Sequence, residues 1–216
     1  MARIAFIGGT GPEGIGLAMR FVKSGNACFI GSRTEEKAAE AVAQVQAAVP
    51  EGEIYGGFNV EGAEKAEFVF VTVPADAHKA ILTELAEAIG DKIVVDCVVP
   101  IVFSEDGPRP APPEVGSAAE EAQLVLPNAK VISGFHHVDG KSLQKLATPM
   151  QGDVLVCGDH KTAKKKVMGL VEEIEYMRAL DAGPLYNSRI TESVTAILIT
   201  LNKQYKAHSG IRITGV

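Results

Sequence analysis

The sequence predicts an α/β protein built on a doubly wound parallel sheet, and three observations predict it. Apolar runs of strand length, at residues 3–7, 27–30, 68–73 and 93–99, lack the alternation of a half-exposed strand. Such runs belong to strands covered on both faces. Helical stretches separate them, giving the strand–helix–strand order that builds a parallel sheet. A glycine-rich turn follows the first run directly.

The elements follow in order. Residues 8–16 form the turn, and residues 17–23 continue as a helix. After the strand at 27–30, Thr34 caps a helix to about Ala48. Residues 50–57 hold a turn and a short strand. The strands at 68–73 and 93–99 flank a helix at 76–89. Pro108, Pro110, Pro112 and Pro113 mark 104–116 as a surface loop. A short helix at 118–126 and strands at 131–135 and 153–157 come next. An amphipathic helix spans 162–175, a short strand 179–182, and a long, largely apolar helix 188–207. The expected division is 1–150 for the doubly wound part and 151–216 for a small C-terminal α+β extension that completes a cleft.

Composition excludes several classes. A chain of 216 residues buries enough apolar surface to fold unaided. A net charge of −6 argues against a nucleic-acid partner, and Lys164-Lys165-Lys166 reads as a solvated helix face. Cys28, Cys97 and Cys157 are scattered in apolar runs, without disulfide or metal-ligand spacing, so no metal is expected. No apolar run approaches the roughly 20 residues of a membrane span. The first strand starts at once, leaving no room for a signal peptide. A cytoplasmic protein with no membrane partner is expected.

Gly9-Thr10-Gly11-Pro12-Glu13-Gly14 matches G-x-G-x-x-G. The first glycine makes the turn, the second lets the backbone approach a pyrophosphate, and the third lets helix and strand pack closely. Its place between a strand and a helix makes it a dinucleotide site of Rossmann type. At the end of the second strand stands Gly31-Ser32-Arg33 rather than an acidic residue. A carboxylate there would bind ribose hydroxyls, whereas a guanidinium binds a 2′-phosphate. Ser32 and Lys37 add a donor and a second charge. NADP(H) is the expected cofactor.

No proton-transfer machinery stands out. Tyr55, Tyr176, Tyr186 and Tyr205 lack a lysine four residues on, and no G-x-S-x-G elbow exists. Glu120 and Glu121 share a helix with no matching base. His136-His137 has the wrong spacing for a zinc helix. A hydride moving between two bound molecules needs placement above all. Ligands of open α/β sheets bind at the C-terminal strand ends. Val73-Pro74-Ala75 with His78, Val98-Val99-Pro100, and His136-His137-Val138 are the expected walls. His136 is the candidate catalytic side chain.

A larger set of motifs spans nearly the whole chain: Gly8-Gly9-Thr10-Gly11, Gly31-Ser32-Arg33, Val98-Val99-Pro100, Val156-Cys157-Gly158-Asp159, Leu180-Asp181-Ala182-Gly183-Pro184-Leu185, Asn187-Ser188-Arg189, Tyr205-Lys206-Ala207-His208, and the tail from Gly210 to Gly215. In these the chain resembles the NADPH:coenzyme F420 oxidoreductases. The resemblance implies NADP(H) held through Thr10, Ser32, Arg33 and Lys37. It implies direct hydride transfer from nicotinamide C4 to C5 of the deazaflavin coenzyme F420, whose ring would lie against Val98, Val99, Pro100, His136 and Val138. It also implies a homodimer, with residues 193–201 as a dimer element. Residues 138–143 depart from the family pattern. The same fold therefore keeps two alternatives: a reductase of another acceptor (flavin, pterin, small carbonyl or imine), or a non-enzymatic NADP(H)-binding protein.

Overall fold

A computed structural model describes residues 1–216. Its main sheet holds β1 (Arg3–Ile7), β2 (Ala27–Ser32), β3 (Ile54–Phe58), β4 (Phe68–Val71), β5 (Ile93–Asp96) and β8 (Lys130–Ser133). All six strands are parallel, in the order β3-β2-β1-β4-β5-β8. The chain reverses its winding direction between β1 and β4. Ligands of open α/β sheets bind at such a reversal, at the C-terminal strand ends. Helices α1 (Pro12–Lys23), α2 (Glu35–Ala48), α3 (Asn59–Lys65), α4 (His78–Ile89) and α5 (Ala118–Val125) connect the strands. No helix is long and apolar enough to cross a membrane.

The C-terminal part is a second, smaller strand–helix–strand unit: β9 (Gly152–Val156), α7 (Lys161–Glu172) and β10 (Met177–Asp181). Its two strands are parallel to each other. One antiparallel bridge, Ser133 to Cys157, joins it to β8 through two backbone hydrogen bonds of 2.9 and 3.0 Å. Packing joins the parts more broadly. Val154, Val156, Val167 and Leu170 belong to the same apolar cluster as Ile4, Phe6 and Phe70. Residue 150/151 thus falls between two parts that share a core. The long helix α8 (Ser188–Tyr205) closes the chain before its tail.

Three local readings change. Helix α1 begins at Pro12, not at residue 17. Proline at the first helical position costs no hydrogen bond, and Gly14 and Gly16 blur the apolar period. The segment 104–116 is partly ordered as a hairpin, β6 (Ile101–Ser104) and β7 (Gly107–Pro110), turning at Gly107 with φ 114°. A two-stranded ribbon has only edges, so its prolines break no central ladder. The short helices α3 and α6 (Gly140–Leu143) escaped the periodic reading because they are only seven and four residues long.

Residues 138–148 are fastened to the Rossmann part. The buried Arg20 of α1 donates to the carbonyls of Leu143 (2.8 Å), Ser142 (3.3 Å), Lys145 (2.8 Å) and Thr148 (3.1 Å). Asp139 caps α6 by accepting from Ser142 N at 2.8 Å. One guanidinium thereby satisfies the carbonyl groups that a one-turn helix leaves open. The four segments after β1, β4, β5 and β8 are left facing one sheet edge.

Candidate active site

The glycine turn is shaped by contact. A Cβ on Gly9 would stand 2.6 Å from Phe6 Cβ, and one on Gly14 would stand 2.5 Å from Gly9 Cα. Neither is tolerable, so these two glycines allow strand and helix to touch. A Cβ on Gly11 would meet nothing within 4 Å. Gly11 caps α1 in an extended conformation, leaving an open surface at the helix N-terminus. That opening fits a pyrophosphate, which gains from free N–H groups and the helix dipole. Gly8 takes φ 66°, and its N–H donates to Asn59 Oδ1 at 3.0 Å.

At the end of β2, Ser32 is buried and its Oγ accepts from Thr34 N at 3.3 Å. Arg33 and Lys37 are exposed, and neither side chain has an ion-pair or hydrogen-bond partner. Glu35 and Glu36 are exposed in the first turn of α2. Two uncommitted cations therefore stand beside the place where a Rossmann site meets the ribose.

Ala75, His78, Val98 and Pro100 line one cavity of about 410 Å³, shared with Ile101 and Val102 of the hairpin. Val73 is buried beneath it, Val99 is half-buried and Pro74 is exposed. The β4 and β5 segments expected as walls thus meet at one cleft.

His78 does more than line a wall. Its ring is 1% exposed, with Nε2 at 2.7 Å from Asp96 Oδ2 and Nδ1 at 3.2 Å from Glu121 Oε2. Burial alone would push its pKa down, but the two carboxylates overcome this and raise it to about 9. Glu121, expected to lack a partner, finds one in His78. Glu120 finds one in Arg189, at 2.7 and 2.8 Å. These pairs are 43 and 69 residues apart, beyond any local pattern. Asp96 is the residue that the apolar run concealed. Its Oδ1 accepts from Val98 N at 3.1 Å, and its backbone carbonyl accepts from Gly134 N at 3.1 Å. The only local sign was a charge inside the apolar run 93–99.

Two more acids belong to this neighbourhood. Glu192 of α8 accepts from Ala118 N (2.9 Å) and Ala119 N (3.2 Å), capping α5. Burial, with the charge of Asp96, raises its pKa to about 8. Glu13 is raised to about 8 by burial first and Asp96 second.

After β8 the chain turns through Phe135, whose φ is 68°. His136 follows, 4% exposed, with neither ring nitrogen partnered. Burial is the main cause that lowers its pKa to about 4, so it is neutral at neutral pH. Its carbonyl accepts from Thr195 Oγ1 at 2.7 Å. The His137 ring turns to β9, where Nε2 donates to the Asp153 carbonyl at 2.8 Å. Val138 is half-buried against the main apolar cluster.

Comparisons with known proteins agree with this geometry. Residues 3–100 match the family described as NADP oxidoreductase, coenzyme F420-dependent. The chain is 40% identical to an F420-dependent NADP reductase of Methanocaldococcus jannaschii, over 99% of both chains. It is 37% identical to the F420-dependent NADP reductase of Methanothermobacter marburgensis, again over 99% of both. A crystal structure from Arthrobacter sp. FB24, provisionally named an F420-dependent NADP reductase, superposes with a TM-score of 0.85 at 24% identity. It covers 99% of this chain and 100% of its own.

The His78 cluster gives a pH signature. The folded pKa of about 9 stands above the ordinary 6.5. The stability it contributes is complete below pH 6.5 and is lost as pH rises through 9, by roughly 3 kcal/mol. In urea unfolding, His78→Gln should be less stable than the wild type at pH 6, and the gap should narrow by pH 9. A gap that is constant with pH would show that His78 carries no extra proton in the fold.

Proposed function

The chain belongs to the F420-dependent NADP reductase family, and on that premise we propose that it transfers a hydride between NADP(H) and coenzyme F420. The observation that carries this reading is the full-length likeness to two such reductases, which takes in both the Rossmann part and the C-terminal part. When bound, the nicotinamide supplies or accepts the hydride. The chain's own residues bind and orient.

In this reading the turn from Gly9 to Gly14 holds the pyrophosphate, with Thr10 and Pro12 at its rim. Ser32, Arg33 and Lys37 hold the 2′-phosphate, supported by the two cations having no other partner. Val73, Pro74, Ala75, His78, Val98, Val99 and Pro100 border the nicotinamide. His136, His137 and Val138 border the deazaflavin, with the neutral His136 as the candidate catalytic group. The part from 151 to 216 completes the cleft. Three unpaired buried cysteines suit a reducing cytoplasmic setting.

A homodimer belongs to the same reading. Ile190, Val194, Ile197 and Leu201 form a stripe at helical spacing along α8, and Ile190 and Ile197 are 64% and 61% exposed. An apolar stripe of this kind is suited to a matching helix. Ile197→Glu should halve the mass in light scattering. A wild-type chain that is already monomeric would remove the dimer.

Two measurements test the catalytic reading. Purified protein mixed with NADPH and oxidised F420 should bleach the deazaflavin absorbance band. Bound NADPH without turnover would sink the assignment of the acceptor. Arg33→Ala should weaken NADP(H) binding by about 1.5–3 kcal/mol, the value of a charge-assisted hydrogen bond, and leave NAD(H) nearly unchanged. Equal losses for both nucleotides would show that Arg33 does not read the 2′-phosphate.

A further inference from the structure

Glu13 is the only acid in the glycine turn, and it sits at the helix end suited to a pyrophosphate. Its side chain is not simply solvated. Oε1 is buried with no hydrogen-bond partner. The charge of Asp96, at the end of β5, adds to burial in raising the Glu13 pKa, and the Glu13 charge in turn helps raise that of Cys97. Toward solvent it borders a cavity with Asp139, Lys141 and His208. Asp139 and His208 engage each other at 3.0 Å, and Lys141 makes no ion pair with Glu13. The groups around Glu13 are therefore Asp96 of β5 and Cys97 just after it, Asp139 and Lys141 from the α6 segment, and His208 from the tail.

A dinucleotide with its pyrophosphate on α1 carries its redox ring across the switch point toward the ends of β4 and β5. Glu13 lies in the first turn of α1 with its Oε1 buried and unpartnered, and in the NADP(H) reading its carboxyl stands beside that ring. The ring is neutral when reduced and cationic when oxidised. In a site of low dielectric this difference governs whether an adjacent carboxyl ionises.

We propose that Glu13 reads the redox state of the nicotinamide, protonated beside the reduced ring and ionised beside the oxidised one. The proposal rests on the NADP(H) reading above. Burial and Asp96 hold the carboxyl up to about 8, so it carries a proton at neutral pH. As the C4–H bond breaks, its electron pair and hydrogen form the new C–H bond of the acceptor. The Glu13 O–H bond breaks in the same turnover, its electron pair stays on the carboxylate, and its proton passes through solvent to the acceptor. The acceptor gains one hydride and one proton. The cationic ring keeps a carboxylate as its counter-ion, and Glu13 regains a proton once the oxidised nucleotide leaves.

The test is nucleotide binding to the full chain by calorimetry, at pH 7, in buffers of different ionisation enthalpy. NADP+ and NADPH carry the same 2′-phosphate, so the difference between them isolates the ring. NADP+ binding should release about one proton more than NADPH binding. The preference for NADP+ over NADPH should rise by about tenfold per pH unit between pH 6 and 8. Glu13→Gln should abolish the extra proton and flatten that preference, and Glu13→Met should do the same if the glutamine variant folds poorly. NADP+ binding with the same extra proton in wild type and variants, or with none in the wild type, overturns the inference alone. A folded wild type that binds neither nucleotide overturns the NADP(H) reading and this inference together.

Discussion

The site edge depends on the carboxylate of Asp96. It is fully buried at the end of β5, where an unpaired charge would cost several kcal/mol. One oxygen faces His78 at the start of α4, and the other fixes the backbone at Val98. The same residue's carbonyl receives Gly134 after β8. Three segments that reach the edge from different strands are thus tied to one residue. His78 passes the constraint on to Glu121 of α5, and Glu192 of α8 caps that helix. The spacing between the β4 and β5 walls follows from this chain of contacts, not from the loops' own preferences. It also places Glu13 and Glu192 near a common acidic neighbour.

What the sequence disclosed and what it withheld divide along contact distance. The glycine turn was legible because its constraint is written within six consecutive residues. The place of Ser32 and Arg33, at the end of a buried strand, was legible because it is local too. The parallel sheet followed from apolar runs that needed no partner to be recognised. The Asp96–His78–Glu121 cluster was not legible. Its members come from β5, α4 and α5, and each has an ordinary local setting. Asp96 lay unremarked inside the apolar run 93–99, and His78 was expected only as a wall on the helix 76–89. Arg20 was hidden in the same way, since it sits in an amphipathic helix and its acceptors are backbone carbonyls more than 120 residues away. The start of α1 was lost for a different reason: two glycines required by packing erased the helical period.

The stretch from 138 to 148 is firmly attached. Arg20 gathers four of its carbonyls, Asp139 caps its single turn, and Gly16 of α1 makes room for Leu143. A Cβ on Gly16 would stand 2.5 Å from Leu143 Cβ. A changed sequence here therefore changes a fixed surface rather than a loose flap. The pocket that this surface borders is pre-shaped on one side by α1, the helix that also presents the glycine turn.

Phe135 carries a consequence for which sequences this fold can accept. Its φ of 68° suits glycine, and a non-glycine residue there costs roughly 1–2 kcal/mol. Its ring is nevertheless wedged among Phe21 and Phe70, at centroid distances of 6.3 and 5.8 Å. Glycine would relax the backbone but empty a ring-sized volume, at a cost of about 3–5 kcal/mol. The aromatic is the lesser evil, and no single exchange improves both. Drift at this position is blocked from either side. Keeping the Phe135 ring against Phe21 and Phe70 therefore also keeps the bend that delivers His136, although no ligand contact need select for it.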